Sequence, residues 1–385
     1  MYRKFTASHI FNGYQFVQQQ VLITDAAGTV VDIADEENAG DGIEKLNGIL
    51  CPGFINAHCH LELSHLKGYI PKHTGLVDFV LSIILNRQVN EDLILLAIEK
   101  AEQEMLQNGI VAVGDICNNS LTLSQKLKHK LIYHNFIEVS GFTPAVATER
   151  FKKAVDIYKS FNAQMPACSI VAHAPYSVSP ALFKMIDDFS GNNLLSIHNQ
   201  ESEAENEFFK TGQGDILRLY QQLGIEISFF KPSQKSSLQT WLPNFTKHKP
   251  VIIVHNICIN EEDIEFAKQQ PTWFCLCPNA NLYISNMLPD VTMLMKHTGN
   301  IVIGTDSLAS NEQLSILEEI KTLQQNFTDL DLSTLLQWAT SNAAKALQMD
   351  SLLGSFEKGK QPGIVLIEGV ESLTVSNNTT SKRIL

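Results

Sequence analysis

The sequence has no uninterrupted apolar run near the ~18 residues that a membrane-crossing helix requires. Its basic start, MYRKFTASHIFNG, has no apolar stretch behind it of the kind a signal peptide carries. A soluble, unprocessed chain is expected. An excess of positive charge is also missing. Lys and Arg number 29 against 41 Asp and Glu, a formal net charge of −12, which argues against nucleic acid or an anionic membrane as a partner. Tandem repeats are absent. The seven cysteines, at positions 51, 59, 117, 168, 258, 275 and 277, are odd in number and scattered. They do not form a disulfide framework, and a reducing cytoplasm is expected. Charged residues make up only 18% of the 385 positions and hydrophobic ones 44%, so a large core can form, and a small molecule fits best as the partner. Composition leaves a homo-oligomer open.

From Leu46 to Ala344, β-rich apolar runs alternate with longer helical patterns, the signature of βα units around a parallel sheet. Eight runs read as strands: Phe54 to His58, Gly109 to Ile116, Leu131 to Gly141, Ser169 to Ala174, Leu194 to Asn199, Val251 to Asn256, Trp273 to Asn279 and Ile301 to Asp306. Eight is the number a (β/α)₈ barrel needs. The segment NEDLILLAIEKAEQEMLQNG places Leu93, Leu96, Ala97, Ala101 and Met105 at helical spacing and ends at Gly109. Residues 1–50 and 350–385 read as short strands and turns, predicting a small β-sandwich domain built from both ends of the chain. The barrel then occupies residues 51–349. The polar tail SNNTTSKR is expected to fray. The long, aromatic-rich segment from Gly224 to Lys249 is expected to wall a pocket or form a lid, with Phe229, Phe230 and Trp241 facing the ligand.

The stretch CPGFINAHCHLELSHLKG puts His58 and His60 two residues apart at the end of the first strand, so both rings leave one face and can reach one point. Chemistry-bearing residues recur at the same place in later units. His173 ends the fourth strand, His198 the fifth, His255 the sixth and Asp306 the eighth. In a barrel these ends converge on one mouth. Two or three histidines with a carboxylate suit one divalent metal, zinc or iron. Cys275 and Cys277 form a C-x-C pair, but cysteines in an apolar strand read better as core. The zinc deaminases of the cytidine type need H-x-E followed by P-C-x-x-C. His60-Leu61-Glu62 supplies the first half by chance, and the second is absent.

The motifs PGFINAHCHLE, VAHAPYSVSP, SIHNQESEAE, IVHN, CPNANL, IGTDSLASNEQLSILEEI and GSFEKGKQPGIVLI together resemble the amidohydrolase superfamily. Within it they resemble the aminohydrolase branch of adenosine, guanine and S-adenosylhomocysteine deaminases. The resemblance implies His58, His60, His198 and Asp306 as metal ligands and Glu201 as proton shuttle. It implies that His255 positions the reacting water or leaving group. A divalent metal lowers the pKa of bound water from about 15.7 to about 7. Asp306 can take the proton from that water, and Glu201 can protonate the ring nitrogen beside the amine-bearing carbon. The superfamily's bridging lysine is missing from SIVAHAPYS, so one metal is expected.

AHCHLELS, with Glu62, and LVDFVLSIILN look most like the deaminases of 6-amino-6-deoxyfutalosine in menaquinone biosynthesis. That likeness implies a 6-aminopurine nucleoside as substrate, with Glu62 and His173 as its contacts. Guanine, S-adenosylhomocysteine or methylthioadenosine, and triazines are the alternatives within the fold. A barrel acting only as a binding module is the alternative outside catalysis. The departures are the 224–249 segment, alanine in CPNAN where many relatives have serine, and KQPG in place of an Ala-Asp pair.

Overall fold

The computed structural model describes residues 2–385. The first five strands are β1 (Arg3–Phe11), β2 (Phe16–Val17), β3 (Gln20–Thr24), β4 (Val30–Asp35) and β5 (Ile43–Pro52). Eight more follow: β6 (Phe54–Cys59), β7 (Ile110–Cys117), β8 (Ile132–Val139), β9 (Cys168–Ala172), β10 (Leu195–Asn199), β11 (Val251–His255), β12 (Thr272–Leu276) and β13 (Ile301–Ile303). The chain closes with β14 (Ile364–Glu368) and β15 (Thr380–Arg383). The two ends share one seven-stranded sheet in the order β15-β14-β5-β1-β3-β4, with β2 paired to β1. Along β14 the side chains alternate between two cores, as strand geometry requires. Ile364 and Leu366 join Phe5, Leu22 and Leu50, whereas Val365 and Ile367 join the main core. The sheet is thereby fastened to the rest of the molecule through one face.

Strands β6 to β13 match the eight expected runs, and nearly every residue in them is buried. They form two parallel four-stranded sheets, β6-β7-β8-β9 and β10-β11-β12-β13. Backbone bonds join the edges. His198 N–H donates to His173 O at 2.9 Å, and the N–H groups of Thr305 and Asp306 donate to His58 O at 3.0 and 3.1 Å. The resulting arrangement is TIM-barrel-like, and the links between sheets fall at the histidine-bearing ends. Strand β12 stops at Leu276 rather than Asn279 because Pro278 opens the helix Pro278–Ser285.

Two other expectations are corrected. In the helix Glu91–Gln107 the buried stripe is Ile94, Ile98, Ala101 and Met105, while Leu93 and Leu96 are 59% and 47% exposed. Spacings of four, three and four keep the buried set on one face, and Leu93 and Leu96 lie to its side. Gly109 does follow this helix, in a left-handed conformation (φ +86°), and a Cβ there would come 2.6 Å from Val365 Cγ2. The tail does not fray. Thr380–Arg383 pairs antiparallel with β14, and as an edge strand it tolerates polar side chains facing water.

Candidate metal and active site

The strand ends deliver the residues that the motifs singled out. His58 lies in β6 and His60 just after it; His198 is in β10 and His255 closes β11. Asp306 follows β13, held to Cys59 by an isolated parallel bridge. His58 Nε2 and His60 Nε2 are 3.1 Å apart, and each faces Asp306 Oδ1, at 3.5 and 3.3 Å. Ligands about 2.0–2.1 Å from a tetrahedral zinc are separated by roughly 3.3 Å. The triangle therefore has the dimensions of one face of a coordination shell. His198 joins through two overlapping groups, one with His58 and His255 and one with His60 and Glu138. This donor set fits a divalent metal.

Electrostatics point the same way. Burial pushes His58, His60 and His198 down to about 4, so the rings stay neutral with lone pairs available. Burial alone would raise Asp306, but the hydrogen bond to His58 and the surrounding imidazoles hold its carboxyl well below the usual range. Asn281 Oδ1 lies 2.7 Å from His255 Nδ1, which puts the His255 proton on Nδ1 and leaves Nε2 as acceptor. That Nε2 is 3.0 Å from His198 Nδ1 and 3.7 Å from Glu201 Oε1.

Backbone strain gathers at the same ends. Gln200, His255, Asn256 and Asp306 all have positive φ, a conformation that non-glycine residues adopt only when their surroundings impose it. Gly304 has a different task. A Cβ there would meet the Cβ, N and O of His58 at 2.9 Å each, so glycine lets β13 close against the His58-bearing strand.

Glu201 is buried, whereas Glu203 and Glu207 of the same acidic run are exposed. Burial raises its carboxyl above the usual range, favouring the protonated form that a proton donor needs. Glu205 is buried for a structural purpose, accepting from the Gln200 N–H at 2.9 Å and from the Ser237 hydroxyl.

The cluster lies at one end of a cavity of about 550 Å³, whose lining includes His60, Glu62, Glu138, His173, His198, Glu201 and Asp306. Glu62 is held by Arg87 at 2.8 Å and by the Asn118 N–H at 2.9 Å. Burial pushes its carboxyl up to about 7 against the pull of Arg87. His173 Nδ1 lies 2.8 Å from Ser177 Oγ, whose hydrogen goes to Ala174 O at 2.9 Å. His173 Nδ1–H is thus the donor, and its Nε2 can accept. The aromatic residues of the 224–249 segment do not line the cavity. Trp241 is buried in the main core with its indole N–H on Asn199 Oδ1 at 2.8 Å, and Phe230 stacks on Phe208 at 4.3 Å. Ile225 is the residue of that segment on the wall.

The match to the family model described as the amidohydrolase family spans residues 49–384. The chain belongs to the amidohydrolase family. Among family relatives, the aminodeoxyfutalosine deaminase of a Nitratiruptor species is 27% identical over 343 residues, covering 85% of this chain and 81% of its own. The 5-methylthioadenosine/S-adenosylhomocysteine deaminase of Halothermothrix orenii is 26% identical over 385 residues, covering 94% and 81%. In structure, the Helicobacter pylori aminofutalosine deaminase bound to methylthio-coformycin superposes with a TM-score of 0.80 at 24% identity, covering 97% of this chain and 93% of that one.

Three amidohydrolase site features escaped the motif reading. Glu138 ends the third barrel strand in FIEVSG, at an offset comparable to the histidines, and its Oε1 lies 3.7 Å from His198 Nε2. Burial opposes ionisation of Glu138, but His173, His198 and His60 hold its carboxyl below the usual range. Asp115 Oδ1 accepts the Leu61 N–H at 2.8 Å, fixing the backbone just after His60. The wholly buried Lys126 pairs with Asp115 at 2.5 Å. Cys275 and Cys277 are buried core residues.

Proposed function

We propose that this amidohydrolase is a metal-dependent deaminase of 6-aminopurine nucleosides, with 6-amino-6-deoxyfutalosine as the preferred substrate. The observation that carries the reading is the packing of His58 and His255 against His60, His198, Asp306 and Glu201, the four of which line one cavity. In the proposal, His58, His60, His198 and Asp306 hold one divalent ion, zinc or iron by their donor types. When bound, that ion supplies a hydroxide nucleophile at neutral pH. Asp306 would receive the proton given up by the water while Glu201 protonates the purine nitrogen beside the amine; Asp306 would then hand its proton to the amine, which departs as ammonia positioned by His255, and the hydroxyl proton of the adduct would return to Glu201. Glu62, Glu138 and His173 offer acceptors for ribose hydroxyls.

The cavity volume and the aminodeoxyfutalosine deaminase relative support the substrate; the methylthioadenosine/S-adenosylhomocysteine deaminase relative supports the neighbouring reading of a smaller or sulfur-bearing tail. Among the described residues no helix is long and apolar enough to cross a membrane. The seven unpaired cysteines fit the reducing cytoplasm proposed as the compartment. Comparing kcat/KM for aminodeoxyfutalosine, adenosine, methylthioadenosine, S-adenosylhomocysteine and guanine by ammonia release tests the proposal. Nucleosides should exceed free guanine, because unfilled ribose contacts leave buried polar groups unpaired. Preference for guanine would end the nucleoside reading.

A further inference from the structure

The carboxyl of Glu201 faces His255 Nε2 at 3.7 Å and takes no hydrogen bond among the described residues. Free oxygens suit a group that meets a substrate, and they leave its placement to the backbone. That backbone is unusual. Gln200, just before Glu201, sits at φ +46°, a conformation that a glutamine keeps only where its surroundings impose it.

Glu205 supplies the constraint. It occupies the third position of the helix Glu203–Thr211, where a glutamate ordinarily reaches back to the N–H of the capping residue. Here the cap is Ser202, whose side chain caps nothing and whose Oγ is buried without a partner. The Glu205 carboxylate reaches further back. It accepts from the Gln200 N–H at 2.9 Å and from the Glu201 N–H at 3.4 Å. Gln200 and Glu205 are wholly buried, and neither lines the cavity.

The other side of this clamp comes from the 224–249 segment. Ser237 Oγ donates to Glu205 Oε1, and the Ser237 N–H donates to Asn206 Oδ1 at 2.9 Å. Gln200 Nε2 donates to Asp263 Oδ2 at 2.7 Å, and Asp263 is held in turn by Ser236 Oγ and by Gln239 Nε2 at 3.0 Å. The short helix Ser237–Trp241 therefore fastens the turn between His198 and Glu201 from outside the cavity. A segment that reads as a pocket wall by composition is a strut behind the wall.

We infer that Glu205, braced by Ser237, is a positioning residue that sets the Glu201 carboxyl against the substrate. This rests on the deaminase reading above, in which Glu201 moves the proton. In zinc-loaded full-length protein, Glu205→Gln should lower kcat for aminodeoxyfutalosine by about tenfold to a hundredfold, the scale for displacing a reacting group by about 1 Å. KM should stay within about twofold, as for an interaction that matters only in the transition state, and each chain should still hold its zinc. The deciding measurement is a double-mutant cycle with Glu201→Gln. Because Glu205 acts through Glu201, Glu205→Gln should cost less than about twofold once position 201 is already Gln. Ser237→Ala should repeat the pattern at about threefold to tenfold, the scale of one hydrogen bond.

An unchanged kcat in Glu205→Gln, or an equal loss in both backgrounds, overturns the inference and leaves the deaminase reading standing. If Glu205→Gln yields no folded protein, the Ser237→Ala cycle decides by the same two criteria. Ammonia released from guanine but from no nucleoside overturns the nucleoside reading alone, and the cycle run on guanine then decides the role of Glu205. Ammonia released from neither overturns both.

Discussion

The two ends of the cavity are built by different rules. At the closed end, each side chain leaves the end of a buried strand, and backbone bonds such as Thr305 N–H to His58 O leave it little freedom. At the open end, the wall comes from excursions between strands, the helices Leu76–Asn86 and Ile216–Gln222 and the loop at Phe142. The closed end carries neutral imidazoles and carboxylates within 3.0–3.7 Å of one another. The open end carries mostly apolar surface, from Leu76, Phe79, Val80, Ile83 and Phe142. Reaction type belongs to the scaffold, and substrate choice belongs to segments that can vary without disturbing it.

Substitutions at the closed end should cost most. His58→Ala should remove the metal and lower activity by at least about a thousandfold, since the bound ion supplies the nucleophile; metal analysis alongside ammonia release checks both. Glu201→Gln should lose about a hundredfold or more in kcat while the metal stays, the scale for a positioned acid–base group. Parallel loss of metal would make Glu201 a ligand instead. Asn281→Ala, which removes the partner of His255 Nδ1, should cost about tenfold to a hundredfold, the range for groups that orient a site residue.

How much of this was legible in the sequence follows the same division. The eight strands and the histidine positions could be read because strand period and barrel convergence are local rules applied eight times. Glu138 sits at a comparable offset but lacked a motif to mark it. Lys126 and Asp115, or Asn281 and His255, meet only in three dimensions, so spacing along the chain says nothing of them. The open end was misread for a related reason. Trp241 and Phe230 looked like pocket walls by composition, yet burial in the main core and a stack on Phe208 use them elsewhere. The tail was misread because an edge strand needs a partner backbone, here β14, more than apolar side chains.

Smaller effects sharpen the boundary between the two ends. Lys126→Met leaves Asp115 buried without its cation and should destabilise the fold by about 3–5 kcal/mol, measured by denaturant unfolding. Phe142→Ala, at the open end, should raise KM for bulky nucleosides severalfold, within about 1–3 kcal/mol, and change kcat for adenosine little. A large kcat loss from Phe142→Ala would mean that the two ends are not separable.

The most direct measurement is ammonia release from 6-aminopurine nucleosides by protein stripped of metal and then titrated with zinc. Activity should be absent after chelation and rise linearly until one equivalent is bound, then plateau. Activity that survives complete removal of metal, or protein that binds one equivalent and releases ammonia from no nucleoside, would contradict a metal-dependent nucleoside deaminase.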